Sequence, residues 1–135
     1  MTAPNLVYNV FTDNFDYTGL GGGGGVFTWT DVTTTSKTMV GDNGYTANNS
    51  SLITFTLPIT CPFGQVLRIV GKGTGLWKIA QNSGQVIHYG NLDTTVGVTG
   101  YLASVAQYDA IEILCTVANT EFTVINGPQG NITTF

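Results

Sequence analysis

The stretch Gly71–Gly90, GKGTGLWKIAQNSGQVIHYG, gives the clearest indication of the fold, because short apolar runs alternate in it with turn signals. The runs Leu76–Gln81 and Gln85–Tyr89 flank an Asn-Ser-Gly connection, and three residues ending in glycine favour a β-hairpin. A glycine-rich segment separates the first of them from Gln65–Val70, which predicts a second hairpin beside the first. The sequence therefore predicts three consecutive strands joined by tight turns.

The composition extends this prediction to the whole chain. Its 135 residues suit one domain with a single core. Charged residues make up only 9%, whereas glycine and threonine are abundant, and such a mixture favours strands and turns over helices. No segment shows a convincing 3.6-residue apolar period. We predict an all-β fold, a small antiparallel β-sandwich or barrel-like domain of many short strands.

Several segments carry specific structural predictions. Val26–Val32 alternates, with Phe27, Trp29 and Asp31 on one face, and Ser51–Leu57 points Ile53, Phe55 and Leu57 inward. Tyr108–Val117 is the most apolar run and is expected to be central in its sheet. Two polar, glycine-containing segments are predicted to be a loop and a turn: Asn91–Gly100 and Asn126–Gly130.

The first 25 residues are predicted to form an arm ahead of a β-domain at residues 26–135. Five consecutive glycines, Gly21–Gly25, have maximal backbone freedom and suit either a hinge or a plain linker. If they form a hinge, the arm reaches a neighbouring subunit or docking surface. The candidate arm and hinge contacts are Leu6, Tyr8, Phe11, Gly21 and Gly25.

Charge and hydropathy exclude two classes of partner. The formal net charge is −4 with only four Lys and Arg residues, too few for the basic patch that nucleic acid requires. No apolar stretch approaches the roughly 20 residues of a membrane span, so we expect no membrane insertion. Residues 1–10 hold no cationic cluster or long apolar run, and we therefore expect no signal peptide.

The residue inventory favours a non-enzymatic protein without metal or cofactor. A single histidine, His88, and two separated cysteines cannot assemble the usual zinc site from one chain, although three copies on a threefold axis would supply three histidines. The acidic residues are scattered along the sequence, so a pair of catalytic carboxylates as in glycosidases is neither excluded nor indicated. No serine lies in the Gly-x-Ser-x-Gly motif of a nucleophile elbow. Cys61 and Cys115 are expected to be free thiols, with pairing left open.

A few residues are candidates for binding a ligand at the protein surface. Trp77, His88 and Tyr89 would suit a sugar-binding face, but strand parity places Trp77 with Ile79, on the inward side. The exposed sides of three residues are the remaining surface candidates: Lys78, Gln81 and Asn82.

The pattern GKGxGxWKIAQNxGQxIHxG at residues 71–90 resembles a module of phage tail fibres and related virion surface proteins. The resemblance extends over residues 26–135, through segments upstream and downstream of this pattern: Trp29, 42–49, 52–58, 101–104, 107–109, 111–115, 117–120 and 130–133. Members of this family often have glycine where this chain has Leu76. The resemblance implies a non-enzymatic β-structured module displayed on a virion as a homotrimer, and it carries no catalytic residues over.

The expected function is that of a structural protein on the outer surface of a tailed-phage virion, made in the host cytoplasm. Fibre proteins place such a module after a long shaft, whereas here only residues 1–25 precede it. A homotrimeric capsid decoration (cement) protein is therefore at least as well supported as a short tail-fibre or spike component. The alternative is a receptor- or carbohydrate-binding fibre tip that mediates host adhesion. The expected partners are copies of itself, capsid or tail proteins and a host surface glycan.

Overall fold

The computed structural model describes residues 6–9, 14–17 and 27–135, and this part of the chain contains β-strands and no helix. Within it there is accordingly no helix that would cross a membrane. The strands are β1 Leu6–Asn9, β2 Asn14–Tyr17, β3 Thr28–Val32, β4 Ser36–Thr38, β5 Asn43–Ala47, β6 Ile53–Thr56, β7 Val66–Gly71, β8 Trp77–Ala80, β9 Val86–Tyr89, β10 Leu92–Asp93, β11 Tyr101–Ser104, β12 Ala110–Val117, β13 Glu121–Gln129 and β14 Ile132–Thr134.

Two mixed sheets form the β-domain. A seven-stranded sheet has the order β10-β9-β13-β12-β7-β5-β3, and a five-stranded sheet has the order β14-β11-β8-β6-β4. β1 and β2 pair with each other as a separate antiparallel ladder. The all-β prediction is confirmed. The antiparallel prediction is wrong in part, because β3, β5 and β7 run parallel in one sheet and β4, β6 and β8 run parallel in the other.

From β3 to β9 the chain changes sheet at every step. β7 and β9 therefore lie in the seven-stranded sheet, while β8 between them lies in the five-stranded sheet. Both hairpins predicted around β8 are wrong. Apolar alternation shows which side chains of a strand are buried, but it does not show which strand lies next to it. The short glycine-containing connections here cross from one sheet to the other.

The second half of the chain completes both sheets mainly through antiparallel pairs, although β13 runs parallel to β9. β12 lies between β7 and β13, and β11 lies between β8 and β14. The predicted central position of the Tyr108–Val117 run is thus confirmed. Ile111, Ile113 and Cys115 are buried, whereas Val117 at the end of β12 is 47% exposed.

The core lies between the two sheets. Ile53, Phe55 and Leu57 are fully buried as predicted, and so is Trp77. The Tyr45 and Phe55 rings meet 5.5 Å apart and join β5 of one sheet to β6 of the other. The Trp77 indole donates a 2.9 Å hydrogen bond from Nε1 to the carbonyl oxygen of Asp109, so its polar edge is satisfied inside the core.

Two predicted connections turn out to contain strand. The Asn91–Gly100 segment includes β10, which pairs with β9. The predicted turn at Asn126–Gly130 is wrong, because β13 continues to Gln129 through a bulge at Asn126 and Gly127, where φ is 60° and 55°. Residues that tolerate positive φ serve a bulge as well as a turn, and local sequence does not separate the two.

The N-terminal predictions fall largely outside the described residues. Leu6 and Tyr8 lie in β1, while Phe11, Gly21, Gly25 and the division between residues 25 and 26 lie beyond what the structure describes. The arm and the hinge therefore stay predictions.

Candidate functional site

An open groove of about 290 Å³ crosses the outer face of the seven-stranded sheet, and we call it the Trp29 groove. It extends from β3 across β7 and β12 to the bulge of β13. Its lining residues are Trp29, Arg68, Ile69, Val70, Ala110, Ile111, Glu112, Asn126 and Gly127.

Strand register places the main side chains of the groove in one row. Trp29 pairs with Gly44, Gly44 pairs with Arg68, and Arg68 pairs with Glu112 across four neighbouring strands. A Cβ at position 44 would come within 2.6 Å of the Trp29 ring, so the indole lies directly over the glycine backbone. The missing side chain in β5 thus sets where the indole lies, and Trp29 remains 52% exposed.

A charge pair and an aromatic ring flank the indole. Arg68 Nε donates to Glu112 Oε2. The Arg68 guanidinium also lies 4.4 Å from the centre of the Phe27 ring, a cation–π contact. Phe27 in turn meets Trp29 edge-on, with 5.9 Å between ring centres. Arg68 and Glu112 neutralise each other, so the middle of the groove carries no net charge.

The β13 bulge forms the opposite wall of the Trp29 groove. The left-handed backbone at Asn126 and Gly127 breaks the regular pairing of β13 with β12. The exposed Asn126 side chain donates from Nδ2 to Glu112 Oε1. The groove therefore offers an aromatic surface on one side and an amide with a carboxylate on the other.

A polar network lies one row further along the sheet. Asp31 accepts hydrogen bonds from Thr46 Oγ1 and from Asn48 Nδ2, and Lys72 Nζ lies 3.7 Å from its carboxylate. The Thr46 hydrogen bond is the main cause that lowers the pKa of Asp31. The charges of Asp31 and Lys72 offset each other, so this pair adds no excess positive charge beside the groove.

The predicted surface candidates lie elsewhere and differ in exposure. Lys78 is half-buried, with its ammonium nitrogen 4.4 Å from the Tyr101 ring centre. Gln81 is only 4% exposed, so its predicted exposure is wrong: its Nε2 donates to the carbonyl oxygens of residues 85, 95 and 97. Asn82 donates to the Leu57 carbonyl oxygen at 2.7 Å. Binding by Lys78 and Asn82 stays a prediction.

His88 lies between two carboxylates on the outer face. Its Nδ1 is 2.6 Å from Asp93 Oδ1, and its Nε2 is 3.3 Å from Glu121 Oε2. The Asp93 hydrogen bond is the main cause that raises the pKa of His88. These contacts hold β10 and β13 against β9. In the described ranges no three metal-binding side chains come together as a candidate ion site.

The two cysteines are free and fully buried. Cys115 Sγ donates to the Cys61 carbonyl oxygen at 3.1 Å, and burial raises the pKa of the Cys61 thiol to about 12. Both behave as small apolar core residues, not as nucleophiles.

No family model matches this chain, and no curated protein is significantly similar to it.

The sequence pattern alone does not identify this groove. The alternation of Phe27 and Trp29 indicates the aromatic face of β3, but nothing in the sequence marks Arg68, Glu112 or Asn126 as their neighbours. The only local signal was the Asn126-Gly127 pair, which permits positive φ. The site exists because β3, β5, β7 and β12 are adjacent, and that adjacency depends on long-range pairing.

Proposed function

We propose that this chain is a non-enzymatic structural module on the outer surface of a tailed-phage virion. It acts as a homotrimeric capsid decoration protein or as a short tail-fibre or spike component. Its partners are copies of itself and the capsid or tail proteins to which it attaches.

The observation that carries this proposal is that residues 71–90, whose pattern resembles virion surface modules, pack the core and hold the backbone in place. A Cβ at Gly73 or Gly75 would overlap the backbone of Asn49 or Ser51, so these glycines allow adjacent loops to touch. Trp77 is fully buried, and Gln85 Nε2 donates to two carbonyl oxygens, those of residues 58 and 119. These residues pack and hold the backbone in place, which supports a structural role.

Two features support assembly into a homotrimer. β3 and β4 are the terminal strands of their sheets in the described part of the chain, so one edge of each ladder is available to another subunit. In addition, apolar side chains are only half-buried on the outer face of the seven-stranded sheet, including Val66 and Leu114. Contact with other subunits would cover them.

Localisation of the protein on purified particles by electron microscopy with a specific antibody tests this role. We expect labelling of the capsid or the tail of intact virions. Deletion of residues 1–11 should abolish attachment to particles and leave a folded domain, since the proposed arm makes the attachment. Unlabelled particles would contradict the virion role, and unchanged occupancy after the deletion would contradict the role of the arm.

A second candidate, a receptor- or carbohydrate-binding fibre tip, is favoured by the exposed Trp29 beside an open groove. It predicts saturable binding of the purified protein to cells of the bacterial host, and free surface polysaccharide should compete for that binding. Binding that does not saturate, or that polysaccharide leaves unchanged, would contradict this role.

A further inference from the structure

We propose that the Trp29 groove binds one neutral pyranose residue of a cell-surface polysaccharide, a hexose or an N-acetylhexosamine. This inference rests on the host-attachment candidate above and names its ligand class and its site. It places the sugar ring on the Trp29 indole, with its hydroxyls toward Glu112 and Asn126.

The exposed indole supplies the stacking surface. Trp29 keeps about half of its surface accessible, at 52%, although Gly44 lies beneath it and Phe27 contacts its edge. An aromatic face carries partial negative charge, and the C–H groups on one face of a pyranose carry partial positive charge. The indole is therefore a fixed platform for the apolar face of a sugar ring, and its position is set before any ligand arrives.

The opposite wall supplies hydrogen-bonding groups. The Asn126 side chain is exposed and donates to Glu112, whose side chain is only 15% exposed. Carboxylates and amides form hydrogen bonds with sugar hydroxyls, and partly buried ones have little competition from water. Since Arg68 and Asn126 already hold Glu112 in place, a ligand would meet an ordered polar group.

The charge balance of the groove selects a neutral ligand. Arg68 pairs with Glu112, and Lys72 lies beside Asp31, so the positive charges near the Trp29 groove are already matched by carboxylates. An acidic sugar would bring a carboxylate next to these carboxylates without an unpaired cation to receive it, which costs binding free energy. The chain as a whole also carries a net charge of −4, which repels anions.

The size of the groove limits what it contacts. Its volume of about 290 Å³ lies just below the usual range for small-molecule sites, roughly 300–1,000 Å³. This suits one sugar ring, with the remainder of the polymer in solvent. A single-ring contact binds weakly, and a trimer that presents three such grooves would raise the apparent affinity through multivalency.

Tryptophan fluorescence tests the site directly, because the chain has only two tryptophans and the other, Trp77, is fully buried. The probes are the methyl glycosides of glucose, galactose, mannose and N-acetylglucosamine, with glucuronic acid and N-acetylneuraminic acid as charged counterparts. We expect a saturable change in emission with at least one neutral glycoside, and about tenfold weaker binding or none with the acids. No response to any neutral glycoside, or tighter binding of an acid, would overturn the proposal.

Three variants locate the response. Trp29→Ala should abolish sugar binding, which calorimetry measures because this variant lacks the reporting fluorophore. Asn126→Gly should weaken sugar binding about tenfold, and glycine still permits the left-handed backbone at this position. Phe63→Ala, which removes a 73%-exposed aromatic from a loop outside the groove, should bind like the wild type. Circular dichroism confirms that each variant is folded. Unchanged sugar binding by folded Trp29→Ala would overturn the proposal.

The outcomes also separate this inference from the attachment candidate. If the protein binds host cells but neutral glycosides do not compete and Trp29→Ala still binds, attachment stands and the sugar site is wrong. If the groove binds glycosides but the protein does not bind cells, the site stands and attachment is wrong. If iodide fails to quench Trp29 in the assembled protein, the groove is a contact with another copy, and the sugar proposal is overturned.

Discussion

Trp29 and Trp77 are the same residue type in short strands, yet one is 52% exposed and the other is fully buried. Trp77 lies on the inward side of β8, between the two sheets, and its indole nitrogen is satisfied by the Asp109 carbonyl oxygen. Trp29 lies on the outer side of the edge strand β3, over a glycine. The difference follows from strand parity and from what lies across the sheet.

Because the two tryptophans differ in burial, their replacement should cost different amounts of stability. Trp77→Phe should lower the free energy of unfolding by about 2 kcal/mol, because it leaves a cavity and removes the indole hydrogen bond to the Asp109 carbonyl oxygen, which then keeps only the Gly71 N–H as donor. The matched control Trp29→Phe should change it by less than about 1 kcal/mol, since the ring is exposed. Urea denaturation followed by circular dichroism measures both values, and equal losses would contradict the assigned burial.

Leu76 shows a residue in an unfavourable backbone conformation. Its φ is 68°, in the left-handed region that glycine adopts without strain. The local strain is tolerated because the following strand, β8, is fixed in the core through Trp77 and Ile79.

Among the secondary-structure elements, the loops that connect successive strands lie very close to one another. The loop that leads into β8 passes directly over the loop that precedes β6. Gly73 contacts the backbone of Asn49, and Gly75 contacts that of Ser51. A side chain at either glycine would force the two loops apart.

Gly75→Ala should therefore destabilise the domain by at least about 2 kcal/mol, because the new Cβ overlaps the Ser51 backbone. Gly84→Ala is the matched control: no atom lies within 4 Å of its added Cβ, and only its φ of 78° is unfavourable. We expect it to cost about 1 kcal/mol. Thermal and urea unfolding of the two variants give the comparison. A smaller loss for Gly75→Ala would contradict the close loop contact.

The β9–β10 pair carries a pH-dependent contact. Asp93, and to a lesser extent Glu121, raises the pKa of His88 in the folded state. The contribution to stability is therefore fully present below the ordinary histidine pKa of about 6.5, and it is lost as the pH rises through the folded-state pKa. Solvent exposure of the pair limits its size.

Proton NMR of tag-free protein measures this directly, because the chain has a single histidine and one imidazole signal to follow. We expect a pKa above about 6.5 and a downward shift in Asp93→Asn, which removes the negative charge next to Nδ1. A wild-type value at or below the ordinary one would show that these carboxylates do not act on His88.

At the scale of the whole molecule, the open sheet edges and the half-buried outer face predict self-association. Sedimentation equilibrium at micromolar concentration should give three times the 14.3 kDa mass of one chain. Leu114→Glu, on the outer face of β12, should shift the protein toward monomer, because it places a charge in the proposed contact. Val105→Glu, at a 53%-exposed loop position, is the control and should leave the mass unchanged. A monomeric wild type would contradict the trimer.

From the residues alone one can predict the all-β class, the inward faces of β6 and β8, and the central position of β12. Alternation within one strand records which side chains are buried, and that is a local property. Three features become known only once the strands are paired in three dimensions: the alternation of β7, β8 and β9 between two sheets, the bulge within residues 126–130, and the row shared by Trp29, Arg68 and Glu112. Those features depend on which distant strands pair, because backbone hydrogen bonds between strands are the same whatever the side chains are.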